Sequence, residues 1–195
     1  MALLTDPQAL IRWAGSRDPF VIADSLGIPV HHLHHPESRL PGLTCLVANR
    51  PSIFLNDAYF DKLPSRYHGY TEENIHDDVL QVAAHELGHS CLHRDQLRLA
   101  PIKEYEIFNV RTTLEAEANK FAAGILIDRE EMLDLLATDL SILQVASKMH
   151  VNVNLLIYMI EILREEGISF NSLPYIPRTN FIGSIHGFGS AEWED

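Results

Sequence analysis

The stretch HELGH, residues 85–89, sets two imidazoles and a carboxylate in the pattern H-E-x-x-H. On a helix His85 and His89 lie about 40° apart around the axis and about 6 Å along it, so both can reach one Zn²⁺. Glu86 falls about 100° from His85, beside the metal-facing side and not on it. A carboxylate placed there can take a proton from a water without occupying the ion, which is the division of labour that metal-assisted hydrolysis needs. Leu80, Ala83, Ala84, Leu87 and Cys91 form an apolar stripe on the opposite side, so the histidines are expected to project from a core-facing helix.

His93 lies two turns beyond His85 on nearly the same side. One straight helix cannot wrap a tetrahedral ion, so His93 reads as a group favoured by the helix C-terminus or as a partner behind a ligand. The third ligand is therefore sought in TTLEAEANKFAAGIL, residues 112–126. There Leu114, Ala118, Phe121 and Ile125 define a buried face. Glu117 falls about 60° from its centre, on the side of Gly124, where small side chains leave room. A carboxylate held against a core face needs a partner, and a metal is the natural one. Glu115 falls on the other flank beside Asn119 and reads as an exposed helix residue. The expected ligand set is His85, His89 and Glu117, with one position open and Glu86 as the base.

The elements that must carry these residues are legible in outline. A helical lead-in over 6–26 ends at Gly27 and Pro29. IPVHHLHH reads as a strand, and LTCLVAN and SIFLN as adjacent strands or a hairpin separated by Arg50-Pro51. Residues 57–70 form an irregular connection. The motif helix runs from a Thr71 cap to about His93, with Glu72, Glu73, Asp77 and Asp78 suited to its positive end. A second helix spans about 111–127, and residues 140–167 read as two helices with a tight turn near His150–Asn152. The expected class is α+β with helices predominating, divided into a core (1–138), a helical pair packed on it (139–167) and a tail (168–195).

The chain has 195 residues, 46% of them hydrophobic and 22% charged, which suits a folded domain. Its net charge of −12, from 27 acidic and 15 basic residues, disfavours direct binding to nucleic acid, whose phosphates need a basic patch. Two cysteines, Cys45 and Cys91, cannot build a disulfide framework, and the N-terminus lacks the basic flank and apolar run of a secretory signal. No apolar run is long enough to span a bilayer. A reduced, cytoplasmic protein is expected.

HELGHSCLH followed some twenty residues later by EAEANKFAAGIL resembles the ImmA/IrrE metallopeptidases, and PFVIADSLGIPV resembles that family's lead-in; the likeness covers roughly residues 18–165. The resemblance implies a zincin-like fold in which a small sheet packs on two metal-bearing helices. It also implies a cytoplasmic, site-specific zinc endopeptidase whose substrate is a helix-turn-helix transcriptional repressor. In it His85 and His89 match the histidine ligands, Glu86 the catalytic glutamate and Glu117 the distal glutamate. GILIDREEM departs from the family where a proline is common, and the tail has no counterpart. A non-proteolytic regulator that uses metal to fold and sequesters a repressor is the alternative; a base beside an open metal position favours the enzyme.

Other features are weighed beside this site. Tyr105, His150 and Tyr158 are candidates for stabilising an oxyanion. SIFLN is the expected edge for an extended substrate. HHLHH would split its histidines between two faces of a strand, which suits surface residues better than a second metal site. VASKMHVNVNLLIYMI has a helix-turn-helix outline with His150 at the usual turn glycine, but its second helix carries no Lys or Arg until Arg164. The apolar tail residues Phe181, Ile182, Ile185, Phe188 and Trp193 suit either a cover for the domain or a lid on the groove.

Overall fold

The computed structural model describes residues 2–99 and 108–169. The chain begins with α1 (Ala2–Thr5), α2 (Pro7–Ala14) and α3 (Pro19–Ser25), then lays down β1 (Val30–Leu33), β2 (Gly42–Val47) and β3 (Arg50–Asn56). Two short helices, α4 (Asp57–Phe60) and α5 (Leu63–Arg66), lead into α6 (Glu72–Leu92) and α7 (Arg94–Leu99). After residues 100–107 come α8 (Phe108–Leu126), α9 (Arg129–Leu136), α10 (Ile142–Lys148) and α11 (Val153–Glu165). The class is α+β, with one small sheet and several helices, as the sequence suggests. No helix among the described residues is long and apolar enough to cross a membrane. The expectations for Tyr105 and for the tail's apolar residues fall outside the described residues.

The ends of the elements follow from local chemistry. Gly15, in the left-handed region at φ 68°, stops α2, so the lead-in is two helices and not one. Thr71 and Asn74 form a reciprocal capping box that starts α6, and His93 closes it. The hairpin turn falls at Ala48 (φ 49°) and Asn49 (φ 64°), the two-residue turn whose twist matches flanking strands. Arg50-Pro51 is therefore inside β3 instead of separating the strands. His150, at φ 54°, makes the bend that a glycine would make between α10 and α11.

The sheet order is β1–β3–β2, with β1 parallel and β2 antiparallel to β3. SIFLN thus lies in the central strand, where both sides are already paired; among the described residues β2 holds the free edge near the motif. The reason is long-range: β1 pairs across Val30↔Ile53 and covers the side of β3 that local patterning left open.

α6 is wedged between the sheet on one side and α8 on another, and α11 lies against α8. Every residue from Gln81 to Ser90 is buried. The expected apolar stripe facing a polar side is therefore replaced by burial all round, which marks a central helix. The would-be reading helix α11 buries Leu155, Leu156, Tyr158, Met159, Ile160 and Leu163 in the core. At the other end of α8, Arg17 donates to the carbonyls of Ile125 (3.1 Å) and Ile127 (3.2 Å) and pairs with Asp128 at 2.7 Å.

Candidate metal centre

Gly88 sets the distance between α6 and α8. A Cβ there would lie 3.1 Å from both Cα and O of Ala118 and 3.3 Å from Phe121 Cβ. Only a hydrogen at this position lets the two backbones cross so closely. With Ala118 turned to α6, the residues three positions before it and one after it, Glu115 and Asn119, fall on the same side of α8.

That rotation decides which carboxylate meets the histidines. The Nε2 atoms of His85 and His89 face each other at 3.0 Å. Glu115 places Oε2 3.2 Å from His85 Nε2 and Oε1 3.6 Å from His89 Nε2. Together these three residues form the one group among the described residues that could hold a metal ion. Glu117, the expected third ligand, is not brought to the pair. Its Oε2 sits 2.9 Å from His93 Nε2, and its side chain is 53% exposed against 19% for Glu115. The room expected beside Gly124 is filled by Pro7, whose Cγ would stand 2.9 Å from an added Cβ. Asn119 was the signal available in the sequence: four residues from Glu115, it shares that flank.

The hydrogen bonds fit a metal-binding state of the imidazoles. His85 Nδ1 lies 2.8 Å from Asn119 Oδ1, and His89 Nδ1 lies 2.9 Å from His93 Nδ1. An amide oxygen accepts only, so His85 carries its proton on Nδ1 and leaves Nε2 bare. A bare His85 nitrogen facing the His89 ring beside a carboxylate suits a cation between them. Ligands about 2.0–2.1 Å from a tetrahedral zinc would stand about 3.3 Å apart, close to the separations of 3.0, 3.2 and 3.6 Å here. Burial alone would raise the Glu115 carboxyl, but hydrogen bonds and charge from His85 and His89 outweigh it and hold it well below the usual carboxylate range.

Glu86 lies beside this cluster and not in it, 4% exposed. β2 covers it. A Cβ on Gly42 would meet Glu86 Cγ at 3.1 Å and Val82 Cγ1 at 2.7 Å, so a glycine is needed where the strand crosses the helix. Two residues on, the Thr44 hydroxyl lies 2.8 Å from Glu86 Oε2 and 2.9 Å from the Glu86 carbonyl. Burial raises the Glu86 carboxyl above the ordinary glutamate value; His89 and the Thr44 hydroxyl pull it back, and Glu115 adds to the rise. Gly42 and Thr44 carried no motif that would have marked them.

Residues 74–161 match the family Peptidase_M78, the IrrE N-terminal-like domain. This segment of the chain is similar to the peptidase domain of the ImmA/IrrE family. No curated protein and no solved structure gives a match. The IrrE-type segment takes in α6 with its HELGH and α8 with Glu115, Glu117 and Asn119, and continues into α11.

The remaining candidates fall elsewhere on the IrrE-type domain. His150 pairs with Asp77 Oδ2 at 3.1 Å and lines a cavity of about 560 Å³ with Tyr70, Asp78 and Gln81, two turns upstream of His85 on α6. Tyr158 Oη accepts from Asn119 Nδ2 at 3.4 Å and so stands behind His85. Both cysteines are free thiols, and burial pushes Cys91 up to about 12, which leaves it a poor nucleophile.

Proposed function

We propose that this chain is a zinc-dependent endopeptidase acting in the cytoplasm, with His85, His89 and Glu115 as ligands and Glu86 as general base. The observation that carries this reading is the convergence of the His85, His89 and Glu115 ligand atoms within 4.8 Å of one another, with a buried carboxylate on the adjoining position of the same helix. Three protein ligands suit a catalytic site better than a closed four-ligand structural one.

A divalent ion held there supplies Lewis acidity, lowering the pKa of water and polarising a scissile carbonyl. The rest falls to the chain's own residues. Glu86 accepts the proton from the attacking water and returns it to the leaving amine. Thr44 serves both forms of Glu86: its hydroxyl donates to the ionised carboxylate, and when Glu86 is protonated it accepts from that group and turns its own proton to the Glu86 carbonyl. Asn119 holds His85 in the tautomer that leaves Nε2 bare. The free edge of β2, which already touches Glu86 through Gly42 and Thr44, is the place for an extended peptide to add as a strand.

The substrate in this reading is a helix-turn-helix repressor, whose cleavage would release the genes it silences. The net charge of −12 suits a partner with a basic, DNA-reading face. Incubation of the zinc-loaded protein with a repressor encoded beside its gene should yield discrete fragments. Glu86→Gln should keep the metal and lose about 10²–10⁴-fold in rate, since an amide cannot accept the proton. Intact repressor with both proteins, despite tight binding, would replace cleavage by sequestration.

A further inference from the structure

Glu115 and Glu117 are two residues apart on α8, and both end on histidines of α6. Glu117 reaches His93, which is 1% exposed at the end of α6, and His93 reaches His89. The chain Glu117 Oε2–His93 Nε2, 2.9 Å, and His93 Nδ1–His89 Nδ1, 2.9 Å, is continuous and ends one ring away from the His89 Nε2 that faces His85.

The direction of the protons along this chain is determined from its outer end. A carboxylate only accepts, so His93 carries N–H on Nε2. Neutral His93 then has a bare Nδ1, which requires N–H on the Nδ1 of His89. His89 is left with a lone pair on Nε2, the form a metal ligand needs. Reversing the chain would aim the bare His93 Nε2 at the carboxylate and put a proton where the ion must sit. His85 obtains the same tautomer from the amide of Asn119, buried at 1% exposure. The two ligands are thus held differently, His85 by a buried neutral amide and His89, through buried His93, by a carboxylate open to solvent.

We propose that Glu117, acting through His93, is a positioning residue for the metal centre: the Glu117–His93–His89 chain selects the His89 tautomer that binds the ion. This rests on the assignment of His85, His89 and Glu115 as ligands. Carboxylates that orient metal-bound histidines contribute about 10–100-fold to metal affinity. The exposure of Glu117 places it at the lower end, because water can replace part of the contact.

The test is zinc affinity of the full chain by competition with a chelator, with the ¹⁵N imidazole signals of His89 in the loaded protein. Glu117→Ala should weaken zinc binding about tenfold and shift those signals. The melting temperature of its metal-free form should stay within about 2 °C of the parent, as for a surface change. Glu117→Gln, whose carbonyl can still accept from His93, should recover most of the affinity. His93→Phe should lose more than Glu117→Ala, because the His89 N–H is left buried without an acceptor. Zinc affinity and ¹⁵N signals of Glu117→Ala indistinguishable from the parent would overturn the proposal while leaving the ligand assignment intact. A parent chain that binds no zinc would remove the assignment, and the relay with it.

Discussion

HHLHH, running through β1, holds four histidines in five residues, while HELGHSCLH on α6 spreads three over nine. The denser group does not converge. His32 turns to Asp57 at 2.8 Å and His34 to Asp61 at 3.8 Å, His31 stacks on Phe54 with ring centroids 4.9 Å apart, and His35 Nδ1 accepts from the Ser38 amide. Each finds its own neighbour at the surface. On α6 the spacing of four puts His85 and His89 on one line, and a second helix crossing at Gly88 supplies a shared carboxylate. Periodicity and a close crossing bring possible ligand atoms together, and the number of histidines matters little.

The contrast can be broken most sharply by removing imidazoles from each group. His85→Ala or His89→Ala should abolish stoichiometric zinc binding, measured by metal analysis after gel filtration. The double change His32→Ala with His34→Ala should leave it intact and move stability by no more than about 0.5 kcal/mol, as expected of exposed pairs. Loss of zinc from the strand variant would erase the distinction.

The crossing itself is the next target. Gly88→Val would press a branched side chain on the Ala118 backbone, which has no flexible end to yield. Denaturant unfolding should show a loss of about 1–3 kcal/mol or more, with weaker zinc binding as α8 is pushed away. Unchanged stability and affinity would mean that the helices do not meet there.

An effect of similar size, spread over a range of pH, separates burial from chemistry. Asp78, on α6 but outside both histidine groups, is raised by burial to about 7 and accepts from the Tyr70 hydroxyl. Below its ordinary value of 3.8 it is protonated whether folded or unfolded. Between there and about 7 the unfolded chain ionises while the folded one resists, so stability falls as pH rises and the loss is complete above about 7. The loss should amount to a few kcal/mol, about 2–4. Asp78→Asn should flatten this slope in unfolding curves from pH 4 to 8; an unchanged slope would show that another group carries it.

How far the site could be read from sequence depended on range. The placement of His85, Glu86 and His89 on one helix, and of Thr71 and His93 at its ends, is legible because it rests on local periodicity and capping. The choice between Glu115 and Glu117 turns on the rotation of α8, which Ala118 against Gly88 and Pro7 against Gly124 determine; neither contact is written in the helix's own periodicity. Thr44 and Gly42 reach Glu86 only because β2 pairs with β3, and SIFLN is central instead of at an edge because its partner β1 pairs with it from 23 residues earlier in the chain.

The most direct measurement is a crystal structure of the zinc-loaded protein with anomalous scattering at the zinc edge. A single peak bonded to His85 Nε2, His89 Nε2 and the Glu115 carboxylate, with Glu117 on His93 and Glu86 off the ion, is the expected result. A peak ligated by Glu117 in place of Glu115, or none between the two histidines, would contradict the assignment.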